Sequence, residues 1–274
     1  MRETFSAAKP LVLVGAGKMG GAMLTGWLAG GLSPDAVIVV DPHPSEALLA
    51  DLAARGVRAV AAAPAGVVAR VMVVAVKPQV LDAVLPAFAP LVGADTIVVS
   101  VVAGKTIATF RGHLGGGRIV RTIPNTPAQV GRGITAAVAG DDVGPADRTL
   151  VDRLLSAVGK VEWVAEEAHI DFVTAVSGSG PAYVFHMVEA LAAAGAALGL
   201  PADVAARLAR ATVEGSGELL FQSPESPAQL RIDVTSPKGT TAAALDVLMG
   251  EPGLTELMTR AVAAAAKRSQ ELAG

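Results

Sequence analysis

At 274 residues the chain has room for one large domain or two ordinary ones. Its net charge is −3 with both signs scattered, so the basic stripe of a nucleic-acid binder is missing and the expected partner is a small molecule. Cysteine is absent, which excludes disulfides, thiolate nucleophiles and cysteine-based zinc sites together. The four histidines, His43, His113, His169 and His186, stand far apart without metal-ligand spacing, so no metal site is expected. The start, MRETFSAAKP, is polar and runs into a strand, unlike a signal peptide. Charges interrupt the longest apolar runs, residues 59–69 and 190–202, before the roughly 20 residues that a bilayer requires. The chain therefore reads as soluble, cytoplasmic and not membrane-bound.

In chain order, five Val/Ile-rich runs alternate with Ala-rich helical stretches: LVLVG (11–15), VIVVD (37–41), VMVVAV (71–76), TIVVSV (96–101) and RIVRT (118–122). Near-continuous apolar runs of this length are strands buried on both faces, as in a parallel sheet covered by helices. Helices are predicted to begin near Lys18, Ser45, Gln79 and Thr106. Repeated β–α order with right-handed crossovers gives a doubly wound α/β domain. GITAAVAG (133–140) and VEWV (161–164) read as added edge strands. After Trp163 the pattern is helical throughout, broken at SGSGP, GLP, SPESP and SPKG. The expected organisation is a doubly wound α/β domain over residues 1–165 and an all-helical domain over 166–274. The stretch Tyr183–Leu198 is apolar all round and reads as a helix buried in an oligomer interface, with a self-contained bundle as the alternative.

Gly15-Ala16-Gly17-Lys18-Met19-Gly20 follows the first strand and opens a helix. In a dinucleotide fold the first glycine makes the tight turn and the second lets the backbone approach a pyrophosphate. The third lets the helix pack close, while the helix N-terminus supplies N–H groups to the phosphates. Asp41 ends the second strand, where a carboxylate binds the adenine ribose 2′-hydroxyl and repels a 2′-phosphate. It equally suits a turn former or helix cap in Asp-Pro-His-Pro, and His43 offsets part of the charge, so NADH is favoured over NADPH without being decided. Ala75-Val76-Lys77-Pro78 and Val101-Val102-Ala103 lie at the carboxyl ends of later strands, the crevice in which open α/β sheets bind ligands. Ser236-Pro237-Lys238-Gly239-Thr240-Thr241 precedes an Ala-rich helix, and its hydroxyls and free N–H groups suit a small carboxylate; an ordinary helix cap is the alternative.

On these segments the chain resembles the pyrroline-5-carboxylate reductase family from end to end. The motifs are GAGKMG, Ala75–Pro78, Pro124–Pro127, Ser177–Tyr183 and Val234–Thr241. The resemblance implies a Rossmann domain joined to a helical domain that forms homodimers, often assembled further into decamers. It also implies NADPH- or NADH-dependent reduction of an imino acid, L-1-pyrroline-5-carboxylate, to L-proline. Carried over by position, it implies cofactor contacts from Val14, Gly15, Ala16, Gly17, Lys18 and Met19, from Ala75, Val76, Lys77 and Pro78, and from Val101, Val102 and Ala103. The substrate carboxylate is expected at Ser236, Gly239, Thr240 and Thr241. An acidic residue near the substrate would be Glu166 or Glu167, and Asp233 stands where the family has a polar residue reaching the ligands. Two departures weigh against NADPH: Asp41, and by approximate register Ala63, stand where relatives often hold the 2′-phosphate with a hydroxyl and an Asn. Lys238 replaces a frequent Gly.

Hydride transfer to a C=N bond needs little acid–base machinery, because a protonated imine is already electrophilic. Thr241 is the expected catalytic residue, its hydroxyl bonded to the ring nitrogen. A β-hydroxyacid dehydrogenase would need a lysine acid/base in its second domain, and none lies between Lys160 and Lys238. A reductase of another cyclic imine and a non-catalytic dinucleotide sensor are the remaining alternatives.

Overall fold

A computed structural model describes residues Thr4–Ala273. The chain divides into two compact units: one runs to Gly178 and takes in the stretch from Ala266 onward, the other is Ser179–Ala265.

The first unit is built on eight strands: β1 (Leu11–Val14), β2 (Val37–Val40), β3 (Arg58–Val60), β4 (Val71–Val74), β5 (Ile97–Ser100), β6 (Arg118–Pro124), β7 (Gly133–Ala139) and β8 (Gly159–Trp163). Their order across the sheet is β3-β2-β1-β4-β5-β6-β7-β8. Every neighbouring pair is parallel except β6–β7. The chain winds outward from β1 to β3 and returns to place β4 beside β1, so the order reverses between these two strands. That reversal opens the crevice at the carboxyl edge in which ligands of such sheets sit.

Alternate residues of the central strands enter two separate cores. Leu11 and Leu13 join Val37, Val39, Val71 and Val73 on one face. There they meet Trp27 of α1 (Lys18–Ala29), Leu52 of α2 (Glu46–Ala54) and Leu154 of α5 (Pro145–Leu155). Val12 and Val14 face the other way, toward Leu81 of α3 (Pro78–Val84), Phe110 of α4 (Ile107–Leu114) and Ile170 of α6 (His169–Val173). Burial on both faces explains why these strands read as unbroken apolar runs. The Trp27 indole N–H donates to the Leu154 carbonyl at 2.8 Å and ties α1 to α5. Two predicted starts coincide with real caps: the Ser45 and Thr106 side chains accept from the amides of Leu48 and Thr109.

Three elements depart from the sequence reading. β3 is a short edge strand inside a run of small residues; β7, expected at an edge, pairs with both β6 and β8; and α5 is a helix between β7 and β8 where none is expected. The first compact unit runs on to Gly178. Ile170 and Ala175 are buried against the sheet, which holds α6 and the π-turn Thr174–Gly178 in the first unit.

The second unit contains α7 (Gly180–Ala197), α8 (Ala202–Gln222), α9 (Pro227–Asp233), α10 (Thr240–Leu248) and most of α11 (Leu254–Ala273). α7 packs on α8 through small residues: a Cβ at Gly195 would lie 3.3 Å from that of Ala205, which is itself buried. No residue of α7 is buried within the single chain, and Phe185 is 64 % exposed. An apolar helix left this open requires cover from another surface. Among the described residues no helix is long and apolar enough to cross a membrane.

Candidate active site

Backbone hydrogen bonds continue past the formal strand ends and set four predicted cofactor residues in step along the carboxyl edge. Asp41 N–H donates to Val60 O, Gly15 N–H to Val40 O, Ala75 N–H to Val14 O and Val101 N–H to Val74 O, at 2.8 to 3.1 Å. The residues that follow each strand thus emerge side by side at the reversal of strand order.

The glycine-rich turn fits a dinucleotide on steric grounds. Gly15 has φ +87°, and a Cβ there would come within 2.9 Å of the Ala75 carbonyl oxygen. A Cβ on Gly20 would overlap the Gly15 carbonyl, so α1 can start this close to β1 only with glycine at that position. A Cβ on Gly17, by contrast, meets nothing within 4 Å. Fold packing explains the first and third glycines, and open space in front of the helix start is what the second provides. Gly17 caps α1 without a side-chain hydrogen bond, leaving the first N–H groups of the helix for an anion. Lys18 is exposed beside this opening, and Lys77 is exposed at the N-cap of α3 with Pro78 as its first residue.

Asp41 serves the loop itself. Its carboxylate accepts from the Ala16 amide at 3.2 Å and the His43 amide at 3.0 Å. The second bond is the turn-forming one expected of Asp before Pro-His-Pro. The first anchors the glycine-rich turn, so one carboxylate shapes the loop and also places negative charge at the mouth of β2.

In the second unit, Thr235–Gly239 forms a tight turn before α10. The Gly239 N–H donates to Ser236 O at 3.0 Å, and a Cβ on Gly239 would come within 2.5 Å of the Ser236 hydroxyl. Lys238 is held at φ +58°, a conformation that favours glycine. Gly239 caps α10 without a side-chain bond, so the N–H groups of Thr240 and Thr241 lack a capping partner. Ser236 and Thr240 are exposed and Thr241 is half-buried. An uncapped helix start lined by three hydroxyls is suited to a carboxylate. Asp233, at the end of α9, accepts from Nε2 of the Gln229 side chain at 2.8 Å. Its hydrogen bond and like charge raise the Glu225 pKa above the ordinary carboxyl value.

Glu167 is engaged within the first unit. Its Oε1 accepts from the Ile107 amide at 2.8 Å and from Arg121 Nη1 at 3.0 Å. Glu166 is exposed. Arg121 is a site residue that the sequence reading does not single out, although a charge amid the apolar run RIVRTIP is itself a signal of a buried ion. The residue is 3 % exposed, and its Nε and Nη2 have no hydrogen-bond partner among the described residues. Asn125 joins two of the quoted motifs: its amide donates to Ser177 O at 3.2 Å and its oxygen accepts from the Ile134 amide at 2.9 Å.

Residues 167–272 match the family described as pyrroline-5-carboxylate reductase dimerisation, and residues 10–104 match NADP oxidoreductase coenzyme F420-dependent. A pyrroline-5-carboxylate reductase of Pseudomonas aeruginosa is 39% identical over 266 residues, 96% of each chain. The structure of a pyrroline-5-carboxylate reductase from Coxiella burnetii superposes with a TM-score of 0.88 at 34% identity, covering 97% of this chain and 98% of the other. Plasmodium falciparum pyrroline carboxylate reductase, solved with NADP bound, gives 0.77 at 25% identity, covering 98% and 100%. A relative 39% identical along nearly its whole length settles the family: the chain belongs to the pyrroline-5-carboxylate reductases.

Proposed function

We propose that this chain reduces L-1-pyrroline-5-carboxylate to L-proline with a nicotinamide dinucleotide. The observation that carries the reading is the uncapped start of α10 behind Ser236-Pro237-Lys238-Gly239, a carboxylate receptor in a chain whose other unit has the glycine turn of a dinucleotide fold. A bound reduced nicotinamide would supply a hydride to the imine carbon, and the C=N π pair would move to a nitrogen already protonated in the iminium.

The protein's task is to bind, orient and exclude water. Val14–Met19 hold the pyrophosphate through backbone N–H groups and the start of α1. Ala75–Pro78 and Val101–Ala103 border the nicotinamide end, where half-buried Val76 and Val101 offer an apolar wall. The Ser236 hydroxyl and the N–H groups of Thr240 and Thr241 receive the substrate carboxylate at the Gly239 cap, with Lys238 adding a cation. The Thr241 hydroxyl bonds the ring nitrogen, and Asp233 lies within the same loop region. Asp41 disfavours a 2′-phosphate and inclines the enzyme to NADH, unlike the Plasmodium relative with its NADP. The exposed apolar surface of α7 and α8 supports a homodimer, which the match to a dimerisation family also supports; assembly to a decamer is part of the same proposal.

The test follows NADH and NADPH oxidation in the near-ultraviolet band of the reduced nicotinamide, with and without L-1-pyrroline-5-carboxylate. Substrate-dependent oxidation is expected, faster with NADH. Folded protein that binds NADH or NADPH but oxidises neither when L-1-pyrroline-5-carboxylate is added would refute the reading.

A further inference from the structure

Arg121 is an expensive residue to keep where it is. Its side chain is 3 % exposed, its Nε and Nη2 have no hydrogen-bond partner among the described residues, and its strand neighbours Ile119, Val120 and Ile123 are all buried apolar residues. Buried arginines are normally fully bonded, because an unmet donor forfeits its hydration without return. Packing of the apolar strand does not require this charge, so its geometry must serve something else.

That geometry brackets one loop. The loop from Val101 to Thr106 leaves β5 at Ser100 and enters α4 at Ile107. Ser100 is the direct register partner of Arg121 on the neighbouring strand. At the other end, the Ile107 amide donates to Glu167, and Glu167 is held by the Arg121 side chain. A single residue of β6 thus fixes where the loop departs through its backbone and where it arrives through its guanidinium. Within the bracket the Ser100 hydroxyl accepts from the Val102 amide at 3.2 Å, and Val102 and Ile107 are both buried. The C-terminal turn of α11 braces the same loop: a Cβ at Gly104 would lie 3.3 Å from the Leu272 carbonyl oxygen, and Ser269 donates to Asp171 of α6 at 2.7 Å.

We infer that Arg121 and Glu167 are positioning residues for the reduction, setting the Val101–Ala103 backbone against the nicotinamide ring without touching substrate. The inference rests on the proposed function for the identity of what the loop faces. It also changes the role of Glu167, which the family resemblance puts near the substrate. Its carboxylate at the first amide of α4 is favourable to the helix dipole, and the Arg121 fork keeps it there.

Two variants test this, Glu167→Ala and Arg121→Met. In the protein without added cofactor, hydrogen exchange at Val102–Ile107 should rise by about tenfold or more in both, with the central strands unchanged, as for a locally opened segment. In turnover, kcat should fall by about tenfold or more, the scale of a misplaced reacting group. The KM for the imine and the Kd for NADH should each stay within about threefold, since the phosphates carry most cofactor binding. Unchanged exchange in the loop would overturn the inference. So would a raised imine KM with kcat retained, which marks a direct substrate ligand. Uniformly raised exchange with kcat per folded protein intact would show a merely structural ion pair and likewise end it. Should Glu167→Ala fail to fold, Arg121→Met decides alone, because it removes the buried charge together with its unmet donors. The exchange experiment needs no turnover. Loop loosening in a protein that oxidises no NAD(P)H would keep the positioning pair and remove only the assigned reaction.

Discussion

Replacing Gly17 by alanine separates what the glycine turn does for folding from what it does for the cofactor. Gly17 sits at φ −66° and ψ −163°, extended backbone that alanine adopts freely, and its added Cβ would meet nothing within 4 Å. The fold should therefore tolerate the change, or gain about 0.4–1 kcal/mol through the stiffer unfolded chain. The dinucleotide should not tolerate it. A methyl group in that space keeps the pyrophosphate off the α1 amides, and one charge-assisted hydrogen bond lost is worth about 1.5–3 kcal/mol, or roughly 10–100-fold in Kd. Gly20→Ala is the control with the opposite profile. Its Cβ overlaps the Gly15 carbonyl and stands 3.3 Å from the Ala75 Cβ, so α1 must shift away from the sheet. Overpacking of this kind costs about 1–3 kcal/mol. Thermal melting without cofactor and a fluorescence titration with NADH read the two quantities separately. A Gly17→Ala protein with unchanged Tm and unchanged NADH Kd would refute the placement of the pyrophosphate. A Gly20→Ala protein as stable as the parent would refute the packing argument.

Asp41→Ser removes the carboxylate at the mouth of β2 while keeping a short acceptor for the Ala16 amide. The ratio of kcat/KM for NADPH over NADH should rise by about 10–100-fold, as expected when repulsion of a 2′-phosphate at a partly screened site is lifted; paired steady-state assays measure it, and a constant ratio would free Asp41 of that role. Thr241→Ala should lower kcat/KM by about 10–1000-fold with little change in Tm, the effect of one positioned hydrogen-bonding group lost, and an unchanged value would remove the hydroxyl from the chemistry. Asp82 carries a pKa below 3.8, first because Lys105 Nζ donates to it at 2.6 Å and secondarily through His113. A depressed carboxyl contributes stability above its unfolded pKa and loses it as pH falls through the lower folded value. Asp82→Asn should therefore lower Tm at neutral pH, and the difference from the parent should close only below pH 3.8; melting curves across that range would show a pH-independent gap if the ion pair were irrelevant.

What the amino-acid sequence determined by itself was local. Apolar runs such as Leu11–Val14, with no polar break, declare strands buried on both faces, and this is how β1, β2, β4 and β5 are packed. Ser45 and Thr106 mark helix starts because a cap bonds an amide three residues away. The three glycines announce their turn because their spacing reflects a strand–helix junction complete within ten residues of chain. Elements without such local signals escaped. β3 is three residues long at the sheet edge, where one face suffices and alanine does not distinguish strand from loop. α5 shows the helical spacing of Leu150, Val151, Leu154 and Leu155, yet its polar outer face blends into the connection between two strands.

Tertiary structure alone decided the rest. The antiparallel turn from β6 to β7 follows from Asn125 bonding the Ile134 amide and the Ser177 carbonyl across a loop. α6 and the π-turn belong with the sheet because Ile170 and Ala175 find apolar cover there, which no periodicity in a short segment foretells. Glu167 meets Arg121 across 46 residues and Ile107 across 60. Its chemistry as a carboxylate is written in the chain, but whether it binds a ligand or holds a loop depends on which donors burial brings within reach, and burial is a property of the whole fold.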